Sequence, residues 1–313
     1  MAFTFGRQPR LRFLDGEYTM NGVVLLPPGF AASVLNMATS APAATKAAAG
    51  RRVATPIGEL AVREAGSGST SLLLWHGLYA EASMFDPLVK ELAPDYRLLL
   101  ISAPGHGASG PPDLPLTNAA SGAAVIAVLD AFGIERAAIL GNSWGGIAAF
   151  HAALQAPRRI LAVAAFNTPF GPGTSDLGTR FIVWLTGLLG NTSFFGRRVA
   201  SGFFSGRTRA QNPEVIEEFV AAFPARAPRG LQIVSRAVLM ERESLIPLLP
   251  QIQVPVLAVS GAEDTRYPPA QTQVIVRRIP NARFFTIEDS GHLTPLEQPE
   301  IAARLVRGLV PPR

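Results

Sequence analysis

Ala138-Ile139-Leu140-Gly141-Asn142-Ser143-Trp144-Gly145-Gly146 runs an apolar stretch into a glycine-flanked serine and on toward a helix. A serine on a sharp strand-to-helix turn sits in strained backbone, usually at positive φ, and its neighbours two residues away must be small. Gly141 and Gly145 meet that need. The turn also sets Ser143 at a helix N-terminus, where unpaired N–H groups and the helix dipole favour negative charge growing on a bound carbonyl oxygen. The Trp144 N–H is the natural donor. Three fixed positions in five also describe an ordinary glycine-rich βα turn, so the rest of the chain has to separate a nucleophile from a plain connection.

A serine nucleophile needs a base to take its proton, an acid to orient that base and a second donor to the oxyanion. The chain holds four histidines. His76 precedes Gly77 after the apolar run Leu72-Leu73-Leu74-Trp75, His106 lies in Pro104-Gly105-His106-Gly107, and His151 falls inside the helix after the serine. His292 follows the β-like run Arg283 to Ile287 in Asp289-Ser290-Gly291-His292-Leu293. For the acid, Asp264 follows the strand-like run Val254 to Ser260 and the turn residue Gly261. Serine, aspartate and histidine thus occur in that order, each on a loop at the C-terminal end of an expected strand, where open α/β sheets build their sites.

Together these features resemble the α/β-hydrolase family. The matching elements are His76-Gly77 after an early strand, Pro104-Gly105-His106-Gly107-Ala108-Ser109 after the next, the serine turn, Gly261-Ala262-Glu263-Asp264, and the late Gly291-His292. The resemblance implies a doubly wound, mostly parallel α/β sheet with an inserted helical cap. It also implies catalytic roles for Ser143, Asp264 and His292, with oxyanion donors from the backbone N–H groups of Leu78 and Trp144. His292 would take the Ser143 proton and pass it to the leaving group, and Asp264 would orient the imidazole. Glu263 and Asp289 are rival carboxylates; the Gly-x-x-Asp spacing favours Asp264. His76 is expected to brace the oxyanion loop and His106 to sit on a surface loop. One position departs from the family pattern: Ser102 stands where an aspartate is common, which bears on local hydrogen bonding and not on catalysis. Dehalogenases and epoxide hydrolases of this fold carry an aspartate at the elbow, so Ser143 argues against both.

Composition fits such a fold. A chain of 313 residues that is 48% hydrophobic and 16% charged can bury a large core and cover both faces of a parallel sheet. With no cysteine, disulfides, thiolate metal sites and cysteine nucleophiles are excluded, and a cytoplasmic location is expected. The net charge of +5 comes from scattered arginines without a long basic run, so it reads as a solvated surface and not a nucleic-acid interface. The expected chemistry uses no cofactor and no metal.

The expected organisation is an N-terminal extension (1–50), a first core segment (51–167), a helical cap (168–250) and a second core segment (251–313). In the extension Asp15, Glu17 and Pro27-Pro28 interrupt the apolar block that a secretory signal needs, so it is expected to be an arm of the protein. In the cap, Phe181-Ile182-Val183-Trp184-Leu185, Phe194-Phe195 and Phe203-Phe204 are expected to build its core and to line an apolar pocket over the serine. Thr186, Gly187 and the Gly190 to Ser193 turn cut that run short of the roughly 20 residues a membrane span requires.

The expected partner is therefore a small molecule with an apolar portion. Hydrolysis of an ester, lactone or thioester through an acyl-serine leads. Carbon–carbon cleavage of a dienone-type substrate, as in meta-cleavage hydrolases, and acyl transfer to an alcohol or peroxide use the same triad. A non-catalytic binding protein on this scaffold is the reading from another class, and the completeness of the triad opposes it.

Overall fold

The computed structural model describes residues 50–312. The N-terminal extension therefore lies outside the described residues, apart from Gly50. Eight strands form one sheet in the order β1-β2-β4-β3-β5-β6-β7-β8. β1 (Arg51–Thr55) and β2 (Gly58–Ala65) form a hairpin, and β2 runs antiparallel to β4 (Tyr96–Ile101). Gly58 turns the hairpin at φ +110°, a region that side chains with a Cβ rarely enter. From β4 onward all pairings are parallel, through β3 (Thr70–Trp75), β5 (Ala137–Asn142), β6 (Ile160–Phe166), β7 (Val256–Gly261) and β8 (Ala282–Ile287).

Burial follows from this order. Every residue of β3, β5 and β7 is buried, which is why these segments read as unbroken apolar runs without alternation. β8 is the edge strand, and it alternates between half-buried and exposed residues along most of its length. The strand expected from Val254 begins at Val256; Pro255 has no N–H to give a ladder, although its carbonyl accepts the Val163 N–H at 2.9 Å.

The helices cover the sheet. α1 (Asp86–Leu92) is preceded by a 3₁₀ turn over Ala82–Phe85. α2 (Asn118–Ala131) packs on α3 (Trp144–Gln155). Between β6 and β7 the chain runs through α4 (Leu177–Leu189), α5 (Ser193–Ala200), α6 (Gly206–Gln211), α7 (Pro213–Ala221) and α8 (Pro228–Leu239). Asp176, Thr192 and Ser205 start three of these by accepting a backbone N–H three residues on, the usual N-cap economy. α9 (Pro269–Val276), α10 (Thr294–Glu297) and α11 (Pro299–Leu309) complete the chain.

β3 lies between β4 and β5. The chain leaves β3 toward one side of the sheet and leaves β5 toward the other, which opens a crevice at their C-terminal ends. Registry holds those ends level: Trp75 pairs with Gly141, Asn142 with Phe166, Phe166 with Val259, and Gly261 with Ile287.

Candidate active site

Four non-glycine residues among those described have positive φ: Tyr79 at 66°, Ser143 at 53°, Asn167 at 50° and Asp289 at 53°. They follow β3, β5, β6 and β8, so the backbone strain gathers on one edge of the sheet, as it does where a structure holds a site in place. Ser143 directly precedes α3, with ψ −113°. Its N–H donates to Phe166 O at 2.8 Å, and Trp144 begins the helix, where its N–H falls outside the intrahelical ladder.

The turn is possible only because its flanks are glycine. A Cβ added to Gly141 would lie 2.2 Å from Gly145 C, and one on Gly145 would lie 1.9 Å from Trp75 O. The loop from His76 to Tyr79 passes directly over the serine, since a Cβ on Gly77 would come within 3.0 Å of Ser143 Cβ. Leu78 is buried in this loop.

Two buried histidines fix that loop. His76 Nε2 accepts the Ala103 N–H at 2.9 Å, so the ring proton is on Nδ1, which donates to Gly77 O at 2.7 Å. His106 Nε2 accepts the Tyr79 N–H at 3.2 Å, and its Nδ1 donates to Pro104 O at 2.9 Å. Both rings are held neutral. Burial pushes the pKa of His76 down to about 3 and that of His106 well below the usual imidazole range. His106 is thus interior and not, as expected, on a surface loop: the Tyr79 N–H draws its ring inward.

Asp264 and His292 meet at the same edge. His292 Nδ1 donates to Asp264 Oδ2 at 2.8 Å. The same oxygen accepts from Asn167 Nδ2 at 2.9 Å, and Oδ1 accepts the N–H groups of Arg266 and Tyr267 at 3.0 and 3.2 Å. Burial alone would raise the pKa of this carboxyl; the adjoining His292 imidazole and these hydrogen bonds outweigh it and hold the group below the usual carboxylate range. Asn142 Nδ2 donates to His292 O at 3.0 Å, which ties the residue before the serine to the histidine loop. The rivals point elsewhere. Glu263 is exposed and accepts the Gly206 N–H at 2.7 Å, and Asp289 pairs with Arg207 at 2.9 Å. His151 is buried where α3 packs on Gly122 of α2.

A family model for the alpha/beta hydrolase family matches residues 72–305. This chain belongs to the alpha/beta hydrolase family. A pimeloyl-[acyl-carrier protein] methyl ester esterase from Xanthomonas oryzae pv. oryzae is 31% identical over 228 residues, covering 71% of this chain and 87% of that protein. A hydrolase from Pseudomonas aeruginosa PA01 superposes with a TM-score of 0.75 at 28% identity, covering 85% of this chain and all of the other. The enol-lactonase from Burkholderia xenovorans LB400 gives a TM-score of 0.74 at 25% identity, covering 83% and 99% of the two chains. The protein is an enzyme of the hydrolase class.

This α/β hydrolase also uses residues that the sequence patterns do not flag. Asn167 holds both Asp264 and Gly291 O; the one local hint is an asparagine closing a strand, where its tolerance of left-handed backbone is useful. Glu297 clamps the segment between β6 and β7 to the histidine loop. Its Oε1 accepts the Gly291 N–H at 2.8 Å, and its Oε2 accepts the Ser205 N–H and Thr208 Oγ1, each at 2.7 Å. From the segment between β6 and β7, the Phe203 ring lies tilted against the His292 ring with centroids 4.9 Å apart, and the Phe203 backbone carbonyl accepts the His292 backbone N–H at 2.6 Å. Arg226 donates to Tyr79 O at 2.8 Å and covers the Phe223 ring. Among the described residues no group of His, Cys, Asp and Glu is arranged to hold a metal ion, and no helix is long and apolar enough to cross a membrane.

Proposed function

We propose that this enzyme hydrolyses an ester, lactone or thioester with an apolar acyl group through an acyl-serine intermediate. The observation that carries the reading is the buried Asp264–His292 pair at 2.8 Å, set beside a serine at φ 53° that heads a helix. His292 Nδ1 faces the carboxylate, which leaves Nε2 as the nitrogen that takes the Ser143 proton during attack and returns it to the leaving group. Such transfer contributes about 10²–10⁴-fold. Asp264, ionised through the neutral range, keeps the proton on Nδ1 and stabilises the imidazolium. The Leu78 and Trp144 N–H groups receive the oxyanion, each worth on the order of 3 kcal/mol. Water then attacks the acyl-serine, with His292 as base, and releases the acid.

Residues 168–250 act as the cap. Phe203, Phe204, Phe219 and Phe223 form a chain of ring contacts that ends on His292, and this apolar lining suits an acyl chain and excludes water. The esterase and lactonase names of the relatives favour an oxygen ester over other acyl donors, and we place the enzyme in the cytoplasm. A fluorophosphonate probe tests the nucleophile: stoichiometric labelling is expected, with none in Ser143→Ala. A wild type that fails to label would overturn the assignment. p-Nitrophenyl esters of graded chain length then measure the pocket, with turnover rising to an optimum beyond acetate.

A further inference from the structure

The outer face of the inserted segment does not look like the surface of a protein made to be surrounded by water. Leu177, Phe181, Trp184 and Leu188 recur at i, i+4, i+7 and i+11 on α4, so they fall on one line along the helix. All four are exposed, Phe181 by 54% and Trp184 by 56%, and the two rings stack at 5.7 Å. The opposite face of α4 buries Val183, Thr186 and Leu189 and packs on α8. The helix is therefore apolar on two sides, and only one of them is used by the fold. Phe194, at the start of α5, is a further large apolar side chain left 51% exposed. A run of large apolar groups on one exposed face marks a surface that is covered in use.

Charge says what covers it. α4, α5 and α8 contain five arginines (Arg180, Arg197, Arg198, Arg229 and Arg236) and no aspartate or glutamate. Arg197 pairs with Glu217 and Arg236 with Glu241, whereas Arg180, Arg198 and Arg229 form no ion pair among the described residues. From Asp176 to Leu239 the chain holds eight arginines against four carboxylates, Asp176, Glu214, Glu217 and Glu218, so a second copy would set a net positive face against its own equivalent. An anionic bilayer supplies the complement: phosphates for the arginines and an acyl boundary for Trp, Phe and Leu, the pattern of a helix that lies in a membrane interface. The net charge of +5 acts in the same direction.

We infer that the cap docks on anionic lipid surfaces through the Leu177–Leu188 face of α4, with Arg180 and its neighbours at headgroup level. The catalytic residues take no part in the docking.

The chain supplies its own reporter. Of its three tryptophans, Trp75 and Trp144 are buried and only Trp184 is exposed. The full chain should be mixed with vesicles of phosphatidylcholine alone, and with vesicles in which about one-third is phosphatidylglycerol. With the anionic vesicles the expected result is co-sedimentation, a blue shift of Trp184 emission and its quenching by brominated acyl chains, all weakened at high salt. Phe181→Ser and Leu188→Ser together should reduce vesicle affinity by on the order of 10-fold or more. Turnover of a soluble ester should stay at the wild-type rate, which shows that the variant is folded. Absence of binding to anionic vesicles would overturn the inference. So would binding that leaves Trp184 unquenched, which places the contact elsewhere on the chain. A dimer in sedimentation velocity that the double variant abolishes would overturn it in favour of a second copy.

Discussion

At the scale of single residues, the adjacent carboxylates Glu263 and Asp264 show how little separates a structural side chain from a positioning one. Asp264 is 3% exposed, and its two oxygens accept four hydrogen bonds, from His292, Asn167, Arg266 and Tyr267. Glu263 is exposed and accepts a single N–H, at the start of α6. Asp264→Asn keeps the volume but replaces the acceptor facing Nδ1, so the imidazole loses its preferred tautomer. We predict a fall in kcat on the order of 10³–10⁴-fold for the best p-nitrophenyl ester, against less than about threefold for Glu263→Gln. Comparable losses in the two variants would contradict the assignment. Asp264 is legible in the sequence because a glycine turn after an apolar strand is a local pattern. Asn167 is not, because it reaches its partner across 97 positions and no spacing announces such a contact. We predict that Asn167→Ala lowers kcat by about 10-fold with little change in KM, since it frees the carboxylate without touching the acyl pocket proposed above. A loss confined to KM would place Asn167 in substrate binding instead.

At the scale of elements, the serine turn is the most legible part of the molecule, because it depends on contacts close in sequence and on a steric rule. Gly145 faces Trp75 O so closely that a methyl group would sit 1.9 Å away, and the displaced atom would be backbone. Gly145→Ala should push α3 off β3 and lower the unfolding free energy by about 3 kcal/mol or more. Gly308→Ala is the control: it sits in the exposed last turn of α11 with nothing within 4 Å of the added Cβ, and it should raise stability by about 0.5 kcal/mol. Urea titrations of both variants measure the contrast, and equal shifts would mean that the turn has slack. The helices between β6 and β7 were less legible. The run Phe181-Ile182-Val183-Trp184-Leu185 is apolar throughout, yet a helical period splits it, so that Val183 is buried while Phe181 and Trp184 face out. Composition alone reads every large side chain as interior; which face has a partner depends on where α8 packs, and that is tertiary information.

At the scale of the whole molecule, a mostly parallel sheet follows from alternating strand and helix signals, whereas the strand order and the cross-links between segments follow from no local pattern. His76 and His106 are such cross-links, since each accepts a backbone N–H from a distant loop and can do so only as neutral imidazole. The unfolded chain takes up a proton on each near pH 6.5, while the folded His76 resists protonation down to about pH 3 and His106 well below its ordinary range. Between those limits the unfolded state binds more protons than the native one. Stability from these residues is therefore complete above about pH 6.5 and drains away as the pH falls, by about 1.4 kcal/mol per unit for each histidine. Asp264 acts in a lower window. Its depressed pKa gives stability that is present above the ordinary carboxyl value of 3.8 and lost only below it. Unfolding free energies from urea titrations between about pH 7 and pH 4.5 should thus decline steeply before Asp264 is protonated. His76→Gln, whose amide oxygen reaches the place of Nε2 and can still accept the Ala103 N–H, should make that decline shallower by about 1.4 kcal/mol per unit. A wild-type profile that stays flat across this range would show that the two imidazoles take up protons in the folded protein as readily as in the unfolded chain.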